Sequence, residues 1–84
     1  MKLRVWWIPQ VPMSERFEVY VKDEFQANLV LNVLADYDMF QLKNNIKPDY
    51  SNVGGLEMFY ENEWVDWYND KYDDFDNYRA EVLD

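Results

Sequence analysis

The stretch Arg16-Phe17-Glu18-Val19-Tyr20-Val21-Lys22, running directly into Asp23-Glu24-Phe25-Gln26, decides the fold. Its first half alternates: Phe17, Val19 and Val21 fall on one side, Glu18, Tyr20 and Lys22 on the other. A period of two residues belongs to a strand with one buried face. At Asp23 the pattern changes. Asp23 followed by Gln26 matches a capping box, in which the aspartate accepts from first-turn amides and Gln26 reaches back to the backbone. From there to about Phe40, Ala27, Val30, Leu31, Leu34 and Tyr37 recur at helical spacing, with Leu29 and Val33 widening the stripe. So wide a stripe predicts a helix that is well covered. Asn44, Asn45 and Pro48 end it.

Upstream, Leu3-Arg4-Val5-Trp6-Trp7-Ile8 is β-branched and aromatic and predicts a first strand, closed by Pro9 and Pro12. Downstream, a loop over 43–55 ends in Gly54-Gly55, the protein's two glycines, where either a positive φ or a close backbone approach is expected. Leu56 to Tyr60 and Trp64 to Tyr68 predict a hairpin across Glu61-Asn62-Glu63. A slip of one residue there would invert the facing of Trp64 and Trp67, which the sequence leaves open. Tyr72, Phe75, Tyr78 and Val82 sit three or four apart and suggest a short C-terminal helix, with Asp70, Asp73 and Asp74 on its N-terminal side. The expectation is one α+β domain over 1–84. It has a small antiparallel sheet in the order β-β-α-β-β, one helix packed on it, and an acidic C-terminal segment, 69–84, forming a short helix or ordered tail.

Composition narrows the function. The 84 residues contain no cysteine and no histidine, so disulfides, thiolate metal sites, the usual neutral-pH general base and the usual strong nucleophile are all missing. Carboxylate pairs such as Asp36 with Asp38 or Glu61 with Glu63 remain, but a chain this short has little room for the cleft such a pair needs. The expectation is a protein that is not an enzyme. The acids near 70–76 do not match a calcium loop, which requires a glycine at its sixth position and a glutamate at its twelfth. No lysine follows Gly54-Gly55 at phosphate-loop spacing. No metal and no cofactor is expected. With 19% aromatic residues the core can be built from Trp, Tyr and Phe instead.

Charge is placed unevenly. Residues 1–56 carry seven acids and six bases, whereas 57–84 carry ten acids against Lys71 and Arg79, a net of −8 out of −9. Direct contact with nucleic acid is disfavoured, because phosphates are met by Lys and Arg. No apolar run approaches the ~20 residues of a membrane span, and Pro9 and Pro12 interrupt the apolar stretch after the basic N-terminus. A cytoplasmic protein is expected.

Two surfaces are candidates for binding. Trp6 and Tyr20 point to the sheet face opposite the helix, where either a partner, a second copy of the chain or the C-terminal helix would cover them. Asp66, Asp70, Asp73, Asp74 and Asp76 are interleaved with Trp67, Tyr68, Tyr72 and Phe75. Acids among aromatics suit a basic protein patch, or imitate nucleic acid; the competing explanation is a solubilising surface.

The opening MKLRVWWIPQVPM, the central LADYDMFQLKNNIKPDYSNVGGLE and the later EWVDWY resemble a family of small phage-encoded proteins labelled superinfection exclusion proteins. The segments Trp6 to Pro12 and Ile46 to Tyr50 are its most specific parts, and the likeness spans most of 1–68. It implies a phage or prophage origin and a role in the infected bacterium, and carries no catalytic or metal-binding residues across. The functions weighed are a non-enzymatic accessory protein that binds a host or rival-phage protein, a nucleic-acid-mimicking inhibitor, and a structural homo-oligomer.

Overall fold

Leu3, Val5 and Trp7 are buried while Arg4, Trp6 and Ile8 between them are not, the alternation of a strand that lines a core. In the computed structural model, which describes residues 1–83, this strand, β1 (Leu3–Ile8), lies in the middle of a four-stranded sheet of order β2-β1-β3-β4. Strand β2 (Phe17–Val21) runs antiparallel to it with Val5 opposite Val19, and β3 (Val53–Tyr60) with Val5 opposite Leu56. Helix α1 (Glu24–Lys43) crosses the face bearing Leu3, Val5, Trp7, Val21, Leu56 and Met58. The β-β-α-β-β order and the α+β class are those the sequence predicts.

Both ends of α1 follow from local chemistry. The Asp23 carboxylate accepts from the Gln26 amide at 2.8 Å, and the Gln26 side chain accepts from the Lys22 amide, one residue before the expected position. At the other end the Ile46 amide reaches the Gln41 carbonyl and the Asn45 amide the Leu42 carbonyl, with Asn45 at φ 60°. This pair of bonds closes a Schellman motif on an asparagine, and it carries the helix three residues past Phe40, to Lys43.

Strand β3 begins at Val53, not Leu56, so the two glycines are strand residues with ordinary φ. The register supplies the reason. Gly54 lies opposite Trp7 and Gly55 opposite Trp6, on opposite faces of the sheet. A Cβ at Gly54 would come within 2.2 Å of the Trp7 ring, and one at Gly55 within 3.0 Å of Trp6 Nε1. Close approach, not a left-handed turn, requires both glycines.

The hairpin to β4 (Glu63–Asp66) turns on Glu61 and Asn62, both at positive φ, so the loop is two residues long and Phe59 faces Trp64. That register places Trp64 on the outer sheet face and Val65 and Trp67 on the core face. Trp67 is buried against Phe75 and Tyr78. The C-terminal segment, α2 (Phe75–Tyr78) widening into a π-helical turn over Arg79–Leu83, therefore joins the helix layer. Arg79 ties it to α1 through Asn28 and Asn32 at 2.7 and 2.6 Å.

The molecule measures 41 × 28 × 19 Å, and its 13.6 Å radius of gyration exceeds the roughly 12 Å of a compact chain this long. The short axis holds one sheet layer and one helix layer. In consequence α1 is not well covered: Phe25, Leu29, Val33, Tyr37 and Phe40 lie on its solvent side. Tyr37, expected inward, is more than half exposed, because the inward stripe is narrower and runs through Ala27, Leu31 and Asp38.

Candidate functional site

The two most distinctive sequence segments meet. Lys47 Nζ donates to the Pro9 carbonyl, the Gln10 amide side chain donates to Asp49, and the Val11 amide donates to the Ser51 carbonyl at 2.7 Å. Lys47 also pairs with Asp38 at 3.2 Å, and Trp7 Nε1 donates to the same carboxylate oxygen at 2.9 Å. Asp38 is 3% exposed. The Trp-Trp-Ile-Pro-Gln-Val-Pro and Ile-Lys-Pro-Asp-Tyr motifs are thus two halves of one clasp, closed over a buried ion pair at an end of the sheet. Asp36, the other half of the suggested carboxylate pair, is exposed, while Asp38 is committed to Trp7 and Lys47.

The outer sheet face is aromatic but not bare. Glu57 accepts from Arg4 at 2.8 Å and from Arg16 at 2.5 Å, and Arg16 also bonds Glu18 at 2.9 Å. The Arg4 guanidinium lies 4.1 Å from the Trp64 ring centre and that of Arg16 lies 5.0 Å from Trp6. Burial opposes ionisation of Glu57, but the hydrogen bonds from Arg16 and Arg4 outweigh it and hold its carboxyl below the usual value. Tyr20 stands at the edge of this network, 70% exposed, its ring 5.9 Å from Trp64.

The acidic third is built around a loop that bonds to itself. Asn69 Oδ1 accepts from the Lys71 and Asp73 amides, the Asn69 amide donates to the Asp73 carbonyl, and the Tyr72 amide donates to the Asn69 carbonyl. These bonds hold Tyr72 at φ 63°, a left-handed conformation that costs an aromatic residue about 1–3 kcal/mol. Tyr72 is 83% exposed and stacks on Tyr68, with centroids 5.7 Å apart. Tyr60, Tyr68, Tyr72 and Asp70 line a depression of about 360 Å³. The negative charge of Glu61, with Tyr68 beyond it, raises the Tyr60 phenol above its ordinary value.

A second depression, of about 190 Å³, opens where the sheet edge meets α2. Trp6, Asp66, Asp74 and Asp76 stand on its walls, with Gly55 and Trp67 behind them. Five of the eight residues singled out in the sequence are therefore brought together. Asp70 and Asp73 line a neighbouring depression with Tyr78, and Tyr20 is on the sheet face apart from all of these. Their duties differ. Asp74 caps α2 by accepting from the Asn77 amide, Asp73 is held by Asn69, and Trp67 is core; Asp66, Asp70 and Asp76 are exposed. Among the described residues no three acids converge closely enough to hold a metal ion.

Sequence reasoning missed the clasp over Asp38 and the bare side of α1. The first had a signal, since the two unusual motifs carry polar side chains among apolar and proline neighbours, Gln10 in one and Lys47 and Asp49 in the other; the second was hidden by a stripe too wide to assign to one face. Among the described residues, no helix is long and apolar enough to cross a membrane.

No solved structure matches the chain. A curated relative, the superinfection exclusion protein of Salmonella phage P22, is 47% identical over 83 residues, covering 83% of this chain and 80% of the relative. The model of the family described as superinfection exclusion gene product 17 matches residues 2–84, the acidic segment included. The chain belongs to the superinfection exclusion gene product 17 family.

Proposed function

We propose that the protein serves superinfection exclusion as a non-enzymatic phage accessory protein, by docking a host or rival-phage protein with a basic surface inside the infected bacterium. The observation that carries this reading is the pairing of exposed carboxylates with fixed aromatic rings over 66–76. The Tyr68–Tyr72 stack projects from a self-bonded loop, and Trp6 looks onto Asp66, Asp74 and Asp76. At about 190 Å³ the latter depression falls below the ~300–1,000 Å³ of small-molecule sites. It suits one Lys or Arg side chain, which would meet carboxylates at its head and an indole face along its stem. Rigid aromatics limit the entropy lost on binding, and the field of the segment speeds encounter.

The test is association kinetics with the protein captured from infected cells. Charge reversal at Asp66, Asp70 and Asp76, which leaves the loop bonds and the α2 cap in place, should slow association tenfold or more. Salt should do the same, because the Debye length falls from ~10 Å at 0.1 M to ~3 Å at 1 M. Association indifferent to both would reduce the acidic end to a solubilising surface. Competition by DNA for the captured partner would instead mark a nucleic-acid mimic.

A further inference from the structure

The solvent side of α1 carries an apolar ridge. Phe25, Leu29, Val33 and Tyr37 recur every fourth residue, Phe40 continues the line, and each is between 56% and 70% exposed. Tyr37 and Phe40 stack on each other. At 1.5 Å per residue the ridge from Phe25 to Phe40 runs about 22 Å along the 20-residue helix. Between Glu24 and Lys43 the helix holds two charges: Asp38, buried with Lys47, and Asp36, exposed and three residues past Val33 beside the ridge. Between its ends the helix thus shows solvent one carboxylate, in a chain of net charge −9.

We infer that the ridge is the interface of a homodimer in which two copies of α1 pack against each other about a two-fold axis near Val33. Three observations select a second copy as the occupant. First, the ridge is symmetric about its own centre: Leu29 and Tyr37 lie four residues either side of Val33, with Phe25 and Phe40 beyond them. A two-fold axis there sets Leu29 of one copy against Tyr37 of the other, as an isologous interface requires. Rows of i and i+4 residues interdigitate at a crossing angle of about −50°, and the small Val33 at the crossing point permits the usual ~8–10 Å between axes.

Second, two copies of net charge −9 repel, and along the ridge each presents a single mid-helix carboxylate, Asp36, to the other. The flank bearing Asn28 and Asn32 is occupied by the Arg79 guanidinium, which further lowers the negative field beside the ridge. The same lack of charge argues against a bilayer, whose interfacial helices carry a row of Lys and Arg.

Third, the area suffices. With aromatic side chains of roughly 200 Å² each, the five residues expose roughly 500 Å² per copy, so a pair that covers them fully would bury about 1,000 Å² from these residues alone, the size a biological interface should clear. A dimer so formed is a β-α-α-β stack, which supplies the layer that a 19 Å thick domain lacks.

The test uses the whole chain at rising concentration. Sedimentation or light scattering should show the 10.3 kDa chain doubling in mass as concentration rises toward about 100 µM, with an unfolding midpoint that rises in step. Val33→Lys and Leu29→Lys should each weaken the dimer at least tenfold while far-UV circular dichroism stays unchanged. Because the chain has no cysteine, Val33→Cys should cross-link to itself on oxidation and Phe25→Cys should not, since only residues at the axis bring their Cα atoms within ~7 Å. A monomer at every concentration would overturn the inference. So would a dimer untouched by Val33→Lys, or equal cross-linking at both cysteines.

Discussion

The outer face of the sheet and the outer face of α1 both carry large apolar side chains, and the protein treats them in opposite ways. On the sheet, Trp6 and Trp64 lie beneath the guanidinium groups of Arg16 and Arg4, which are themselves held by Glu57 and Glu18. On the helix, no cation lies over the rings of Phe25, Tyr37 or Phe40 among the described residues, and the ridge carries no ion pair of that kind. An aromatic residue is therefore a poor marker of an interface unless the charges around it are counted. A face dressed by its own ion pairs has much of its ring surface met within the monomer, whereas a face without them leaves its apolar surface open to association.

The contrast between the faces is broken most severely from between the two layers. Asp38 is a buried carboxylate under α1, held by Trp7 and the likewise buried Lys47 ammonium. Asp38→Ala would leave the Lys47 ammonium, itself buried, without its partner and should cost about 3–5 kcal/mol by denaturant unfolding. A loss under 1 kcal/mol would show that Lys47 escapes to water and that the clasp is not closed. Next in size is Gly54→Ala, whose Cβ would meet the Trp7 ring on one side and the Trp6 carbonyl on the other. Backbone cannot yield as a flexible side chain can, so a cost of about 1–3 kcal/mol is expected. Gly55→Ala, set against the movable Trp6 indole, should cost less than Gly54→Ala.

The sheet face itself is tested by Glu57→Gln. Removing the charge that Arg4 and Arg16 share should cost about 1–2 kcal/mol at neutral pH. The sign with pH comes from the depressed carboxyl. Glu57 stabilises fully above its ordinary value of 4.5, and that contribution is lost as pH falls through the lower folded value. The variant should therefore lose less stability than the wild type on acidification below about pH 4.5. Parallel acid limbs for the two proteins would refute the role of this carboxylate.

Local rules make most of the architecture legible. Alternation at Phe17–Val21, the cap at Asp23 and the punctuation at Asn44 and Asn45 each act within a few residues, and each is readable in place. The departures arise where a residue answers to something distant. Gly54 and Gly55 extend β3 because two tryptophans stand across the ladder, a fact of register that no local window contains. The length of the hairpin loop depends on whether Glu63 pairs with Tyr60, and that one pairing fixes the facing of Trp64 and Trp67. The candidate site divides in the same way. Its acids and aromatics are visible in order, but the turn at 69–73 decides that Asp73 and Asp74 hold the chain together and leaves Asp66, Asp70 and Asp76 exposed. The helix stripe misleads for the opposite reason: apolar residues on both sides of α1 are indistinguishable until the number of layers is known.

The smallest expected effect lies on the helix face. Leu29→Ser and Val33→Ser place hydroxyls on the helix ridge, where the wild-type side chains are more than half exposed in the single chain. Little apolar area is lost from the monomer's own packing, and the two residues differ only modestly from serine in helix propensity. At protein concentrations well below the association range each substitution should shift stability by no more than about 0.5 kcal/mol, as is usual for surface positions. At high concentration the same variants should fall behind the wild type, because the wild type alone gains from mass action. A ridge substitution that costs as much as Glu57→Gln in the dilute monomer would mean that the ridge is packed within the single chain. The two outer faces would then be alike after all.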